Sequence, residues 1–100
     1  MNRELEERMA ELRARFVARS ISEKPDLMQA LAAMDRVEMR RIAHGMAGGA
    51  GLFGCPALGR AASALEVTIV DEGSELLVQA MCGKLLAELD LLIKAQPASH

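Results

Sequence analysis

The chain has no tryptophan and no tyrosine, and only two phenylalanines in 100 residues. Half of it is nevertheless apolar (51%). The core must therefore be built from Leu, Ala, Met, Ile and Val, a set that favours helices over strands. Cysteine is scarce too: Cys55 and Cys82 lie far apart, in no metal-like spacing. They read as reduced core thiols, with a disulfide as the lesser alternative. Neither sign of charge dominates, since 12 Lys and Arg face 14 Asp and Glu for a net charge of −2. That balance gives no case for nucleic acid or an anionic membrane as partner. No apolar run approaches the roughly 20 residues of a membrane helix. The opening "MNRELEERMAELRARF" is charged throughout and is not a signal peptide. The expectation is a soluble, cytoplasmic, standalone protein forming one domain over 1–100.

What is present is helical periodicity. Leu5, Met9, Leu12 and Phe16 recur at steps of 4, 3 and 4, one face of a helix whose other faces are Glu and Arg. That segment is an N-terminal helix over 1–21. Ser22 is the expected N-cap of a second helix, with Pro25 in its first turn and Leu27, Met28, Leu31 and Met34 as its stripe. Asp35-Arg-Val-Glu38 fits a capping box with Asp in the usual Ser or Thr position. The third helix should start there and run through Met39, Ile42, Met46, Ala50 and Phe53, with Gly54 as its stop. Pro56 opens a fourth, with Leu58, Ala62, Leu65 and Ile69 inward. "LEVTIV" is the one β-like run, but it continues that stripe without a break and reads as helix. Asp71-Glu72-Gly73 is a turn, and Ser74 caps a last helix lined by Val78, Met81, Leu85, Leu89 and Leu92 until Pro97. The fold class is all-α: an antiparallel four-helix bundle over 22–96, with the additional N-terminal helix across one end or beside it and a tail at 97–100 that includes His100.

The segment "AHGMAGGAGLFG", Ala43 to Gly54, holds five of the eight glycines and His44. Gly49-Ala-Gly51-Leu-Phe-Gly54 matches the G-x-G-x-x-G dinucleotide pattern. That fingerprint needs a strand before it and a βαβ sheet around it, and here a capped helix precedes it. A P-loop is excluded because no Gly-Lys-Ser/Thr follows. The segment is thus a helix carrying Gly45, Gly48, Gly49 and Gly51, each costing about 1 kcal/mol against alanine. Four such costs are a large share of a small domain's stability of about 5–15 kcal/mol. At about 100° per residue, His44 lies opposite Met46 and the buried stripe. Ala47, Gly48 and Gly51, at i+3, i+4 and i+7, share its face. The imidazole stands on a bare surface, open to a large partner that brings a reactive group up to it.

Ala43-His44-Gly-Met-Ala-Gly48, then Gly54, then "ALGRAASALE" ending at Glu66, resembles the histidine phosphotransfer (HPt) domains of two-component phosphorelays. Their pattern is A-H-x-L-K-G, a following glycine, and an L-x-x-x-A-x-x-L-E helix; "LRARF" and "ALAAMDRVEMRRIAH" are similar to the family's leading helices. The resemblance covers nearly the whole chain. It implies a four-helix bundle whose exposed histidine, His44, accepts a phosphoryl group from a receiver-domain aspartate and relays it. The partners implied are the receiver domain of a hybrid histidine kinase, a response regulator, or both, with the protein itself a monomer. No cofactor of its own is implied, because no carboxylate cluster near His44 would hold Mg²⁺; the metal belongs to the receiver. The protein is then a phosphocarrier without a complete active site.

One position departs from the family: Ala47 stands where a lysine is usual, one turn beyond the histidine. Arg40 and Arg41, at i−4 and i−3, neighbour His44 on a helix and are the expected replacements, with Lys84 a weaker candidate. Gly48 and Gly51 complete the expected partner-supporting surface. Neutral imidazole, with an unperturbed pKa of about 6.5, suits the role of nucleophile. Ala47 also keeps open a second function: a non-phosphorylated module of the same fold that binds and inhibits a receiver or kinase domain. A third, outside the family, is a helical dimerisation module using the first helix's seam. The seven methionines read as core filler.

Overall fold

The computed structural model describes residues 2–97; Met1 and residues 98–100, His100 among them, lie outside the described residues. Five helices follow one another: α1 (Arg3–Ser22), α2 (Lys24–Ala32), α3 (Arg36–Ala50), α4 (Pro56–Val70) and α5 (Glu75–Lys94). No strand occurs among the described residues, and "LEVTIV" forms the last turns of α4. Helices α2 to α5 close a ring of neighbours, α2 on α3, α3 on α4, α4 on α5 and α5 back on α2. The short connections at 51–55 and 71–74 make α3, α4 and α5 antiparallel.

The stripes read from the sequence supply most of the core. Leu27, Met39, Ile42, Leu65, Leu85 and Leu89 are all fully buried. Cys82 joins them on α5, and burial pushes its thiol up to about 11. Both cysteines are free and buried. Met28 is a correction: it is half exposed, and Ala30 takes the inward position instead. In a nine-residue helix the inward face is narrow, and Leu27, Ala30 and Leu31 fill it.

Capping sets the boundaries. Asn2 accepts from the N–H groups of Glu4 and Leu5 to start α1. Asp35 accepts from Glu38 N–H at 3.1 Å and Ser74 from Leu77 N–H at 3.1 Å, as their sequence positions require. Ser22 is not a cap. It ends α1, and its hydroxyl donates to Arg19 O. The break falls one residue later, at Glu23, whose backbone stays right-handed helical, so α1 passes almost directly into α2.

Three helices end in the same way. Asp35 N–H bonds Ala30 O, Cys55 N–H bonds Ala50 O, and Gly73 N–H bonds Thr68 O, the long closing bond of a Schellman motif. The residue before each donor is left-handed: Met34 (φ 51°), Gly54 (φ 72°) and Glu72 (φ 57°). Only Gly54 adopts this without a Cβ penalty, which explains its place as the stop after α3. Regular α3 ends at Ala50, but Phe53 N–H still reaches Gly49 O at 3.1 Å, so a helical turn carries the chain on to Phe53.

Helix α1 packs beside the bundle through its C-terminal half. Val17 and Ser20 are buried, and Phe16 meets Phe53 with ring centroids 5.4 Å apart. Arg13 Nε donates to Phe53 O at 3.0 Å. Further toward the N-terminus α1 is exposed; Leu5 keeps 59% of its surface. This helix explains one glycine. A Cβ on Gly49 would lie 2.6 Å from Phe16 Cε1, so α1 approaches α3 only because nothing projects there. Gly49 is therefore a packing glycine and not part of the bare face.

Candidate functional site

The site is built on the line where α3 and α4 run side by side. His44 and Glu66 face each other across it, and further along Gly59 sits against Ala50, where an added Cβ would come within 3.0 Å of the alanine methyl. This antiparallel register brings Ser63 and Arg60, one and two turns back along α4, beside Ala47 and Gly51 of α3.

His44 is highly exposed, with 76% of its side chain accessible, because its helical position is opposite Met46, which is buried. Its Nδ1 lies 2.7 Å from Glu66 Oε2. An ionised carboxylate can only accept, so Nδ1 carries the proton and donates. That fixes the tautomer and leaves the Nε2 lone pair free; Nε2 has no hydrogen-bond partner among the described residues. Glu66 is itself four-fifths covered, which limits how far the ring can turn on it.

Glu66 is the residue that the sequence reading placed in a motif but gave no role. The signal was present: Leu65 is buried and Glu66 follows it at the edge of the α4 stripe, where a side chain reaches toward the neighbouring helix.

The two arginines expected to support the phosphoryl group separate in the structure. Arg40 Nε is 3.9 Å from the same Glu66 oxygen that His44 uses, so an exposed cation stands beside the imidazole. Arg41 is committed elsewhere. Hydrogen bonds to Glu38 and then Glu23 raise its pKa above the ordinary value and tie α3 to the α1–α2 junction. Lys84 lies in the groove between α4 and α5 and does not line the one that holds His44.

Open space surrounds the imidazole. Gly48 and Gly51 are exposed, and nothing stands within 4 Å of a Cβ placed on either; the same holds for Gly45. Ala47 is half buried against the core, and its methyl is the only side chain between His44 and Gly51 on that face. On the other side a groove of about 430 Å³ lies between α3 and α4, with Val37 and Ile69 as its apolar part and Arg36 and Arg40 at its edge. Among the described residues no cluster of three or more His, Cys, Asp or Glu side chains is placed to hold a metal ion. No described helix is long and apolar enough to cross a membrane.

No curated protein and no solved structure matches the chain. A family model does. An exposed histidine in a glycine-cleared helix, steadied by a carboxylate from the next helix of an all-α bundle, is found in a chain that the Hpt-domain model matches over residues 4–95, and the protein belongs to the Hpt-domain family.

Proposed function

We infer that this chain, as an Hpt domain, takes part in histidine phosphotransfer in a phosphorelay, in contact with receiver domains. We propose that His44 is the phosphoacceptor of this chain, taking its phosphoryl group from the aspartyl phosphate of one receiver domain and passing it to another. The observation that carries this reading is the Nδ1–Glu66 hydrogen bond on a histidine whose other nitrogen is open to solvent.

The chemistry follows from that tautomer. The Nε2 lone pair forms the N–P bond as the P–O bond to the aspartate breaks, and the carboxylate departs with the bonding electrons. No proton has to leave the attacking nitrogen, because none is there. The ring becomes positively charged, and its Nδ1–H already faces the Glu66 carboxylate, which stabilises that charge. Transfer in the reverse sense uses the same contacts. Phosphoryl transfer depends mainly on alignment and charge neutralisation. Alignment comes from the fixed ring and the cleared face of Gly48 and Gly51. Arg40, 3.9 Å from the Glu66 oxygen that His44 uses, supplies a cation beside the ring. The metal and the acidic pocket that activate the phosphoryl group are assigned to the receiver.

The assay is transfer from a panel of phosphorylated receiver domains, read as acid-labile, alkali-stable label on the protein. Wild type takes label from at least one receiver, and His44→Gln takes none. Ala47 supports the second reading, a module that binds a receiver or kinase and inhibits it without being phosphorylated. Under the carrier reading, Ala47→Lys changes the transfer rate or the lifetime of phosphohistidine. An unlabelled wild type that slows a receiver's own reactions favours the inhibitor.

A further inference from the structure

We propose that Arg60 is a docking contact for an acidic group on the receiver domain, so that the partner is gripped on the far side of His44 from Arg36 and Arg40. The inference rests on the phosphocarrier reading above.

The chain as a whole is acidic, with a net charge of −2. The two grooves that flank His44 along the α3–α4 line are not. Their lining includes Arg36, Arg40 and Arg60, besides Arg41, whose charge Glu38 and Glu23 already balance, and the only carboxylate in the lining is Glu66, which His44 and Arg40 engage. Positive charge is thus gathered on one face of an acidic protein, around the one exposed histidine among the described residues. A partner that fits is negatively charged where it meets that face.

Within this arc Arg60 is distinguished by its freedom. Arg36 donates to Gly73 O at 2.8 Å, Arg41 is held by Glu38 and Glu23, and Arg40 lies beside Glu66. Arg60 is exposed and has no ion-pair partner among the described residues. It stands on the crest of α4 between two grooves: on the α3 side a trough walled by Ala47, Gly51, Pro56, Gly59 and Ser63, and on the α5 side one that Lys84 and Glu88 also line. On the α3 side that trough is lined by Ala47 and Gly51, neither of which carries a polar side chain.

Position decides between two roles. Arg60 precedes Glu66 by six residues, which is about 9 Å back along the helix axis. It lines the trough beside Ala47 and Gly51 and not the groove that holds His44 and Arg40, so it is assigned to the docked partner and not to the phosphoryl oxygens. It acts instead on whatever fills the trough, as a partner docked over His44 does. Its contribution is to encounter and binding rather than to the chemical step.

The experiment titrates, at low and at high salt, a phosphorylated receiver domain that labels wild type and reads single-turnover transfer to His44. Arg60→Ala raises the half-saturating receiver concentration about 3- to 10-fold at low salt. The difference shrinks at high salt, and the saturating rate stays within about twofold of wild type. Arg60→Lys recovers most of the loss, and Lys94→Ala, at the end of α5, changes neither quantity. The proposal is overturned if Arg60→Ala leaves half-saturation unchanged, if it lowers only the saturating rate, or if Lys94→Ala has an equal effect. A wild type that no receiver labels sinks the phosphocarrier reading itself, which is a different result from a labelled wild type indifferent to Arg60.

Discussion

His44 Nδ1 and Glu66 Oε2 lie 2.7 Å apart, and this one contact selects the ring nitrogen that faces a partner. Glu66→Ala removes the acceptor and lets the imidazole turn and change tautomer. Transfer to His44 then falls about 10- to 100-fold, by analogy with the loss of the hydrogen-bond partner that orients a metal-ligating histidine. Glu66→Gln keeps an acceptor without the charge and lies between. Nitrogen NMR of the ring gives the independent check. Wild type shows the proton on Nδ1, and Glu66→Ala shows a mixture of tautomers. An unchanged tautomer and rate in Glu66→Ala would mean the contact has no role.

The glycines of α3 separate by function. Gly48 faces open space, so Gly48→Gln stabilises the fold by about 0.5 kcal/mol through helix propensity. The same change slows transfer, because a side chain now stands where the partner docks. Gly49→Ala does the opposite. Its methyl meets the Phe16 ring, which has to shift; the overpacking cost of about 1–3 kcal/mol exceeds the helix-propensity gain of about 1 kcal/mol, so stability drops by up to about 2 kcal/mol while the His44 face is untouched. Chemical denaturation and the transfer assay on both variants test the pair together; equal effects on stability would contradict the assignment.

Burial of Cys82 makes stability pH-dependent in a defined window. Its thiol titrates near 9.0 when unperturbed and near 11 in the fold, where burial disfavours the thiolate. Below 9 both states hold the proton and the group contributes no pH dependence. From 9 to 11 the unfolded chain loses the proton first, so stability falls as pH rises. Thermal melts of wild type and Cys82→Ala isolate this thiol from every other group, which the two proteins share. The wild type loses more stability between pH 9 and pH 11; identical losses would show that the thiol is not buried as described. At pH 8, Cys82 reacts with an alkylating reagent only as the protein unfolds.

Much of this was legible in the sequence because periodicity and caps are local. Asp35 and Ser74 cap where they stand in the sequence, and the face opposite Met46 is fixed by helix geometry alone. The misses depended on neighbours brought close by folding. Ser22 has the right residue type for a cap, yet α1 continues through it, since Val17 and Ser20 are held against the bundle. Gly49 looked like its neighbours until α1 laid Phe16 over it, and Arg41 looked available until Glu23 came within 3.3 Å across the α1–α2 break. Glu66 is the clearest case. Twenty-two residues separate it from His44, so only the register of α3 against α4 makes it the histidine's partner.

The central claim is that phosphate is carried on Nε2 of His44. Phosphorus and nitrogen NMR of the protein after transfer from a phosphorylated receiver tests it most directly. The account predicts one phosphorylated site, at His44, with phosphorus on Nε2 and the proton retained on Nδ1 toward Glu66, and no such signal in His44→Gln. Phosphorus on Nδ1, label that persists in His44→Gln, or a wild type that no receiver in the panel labels would contradict it.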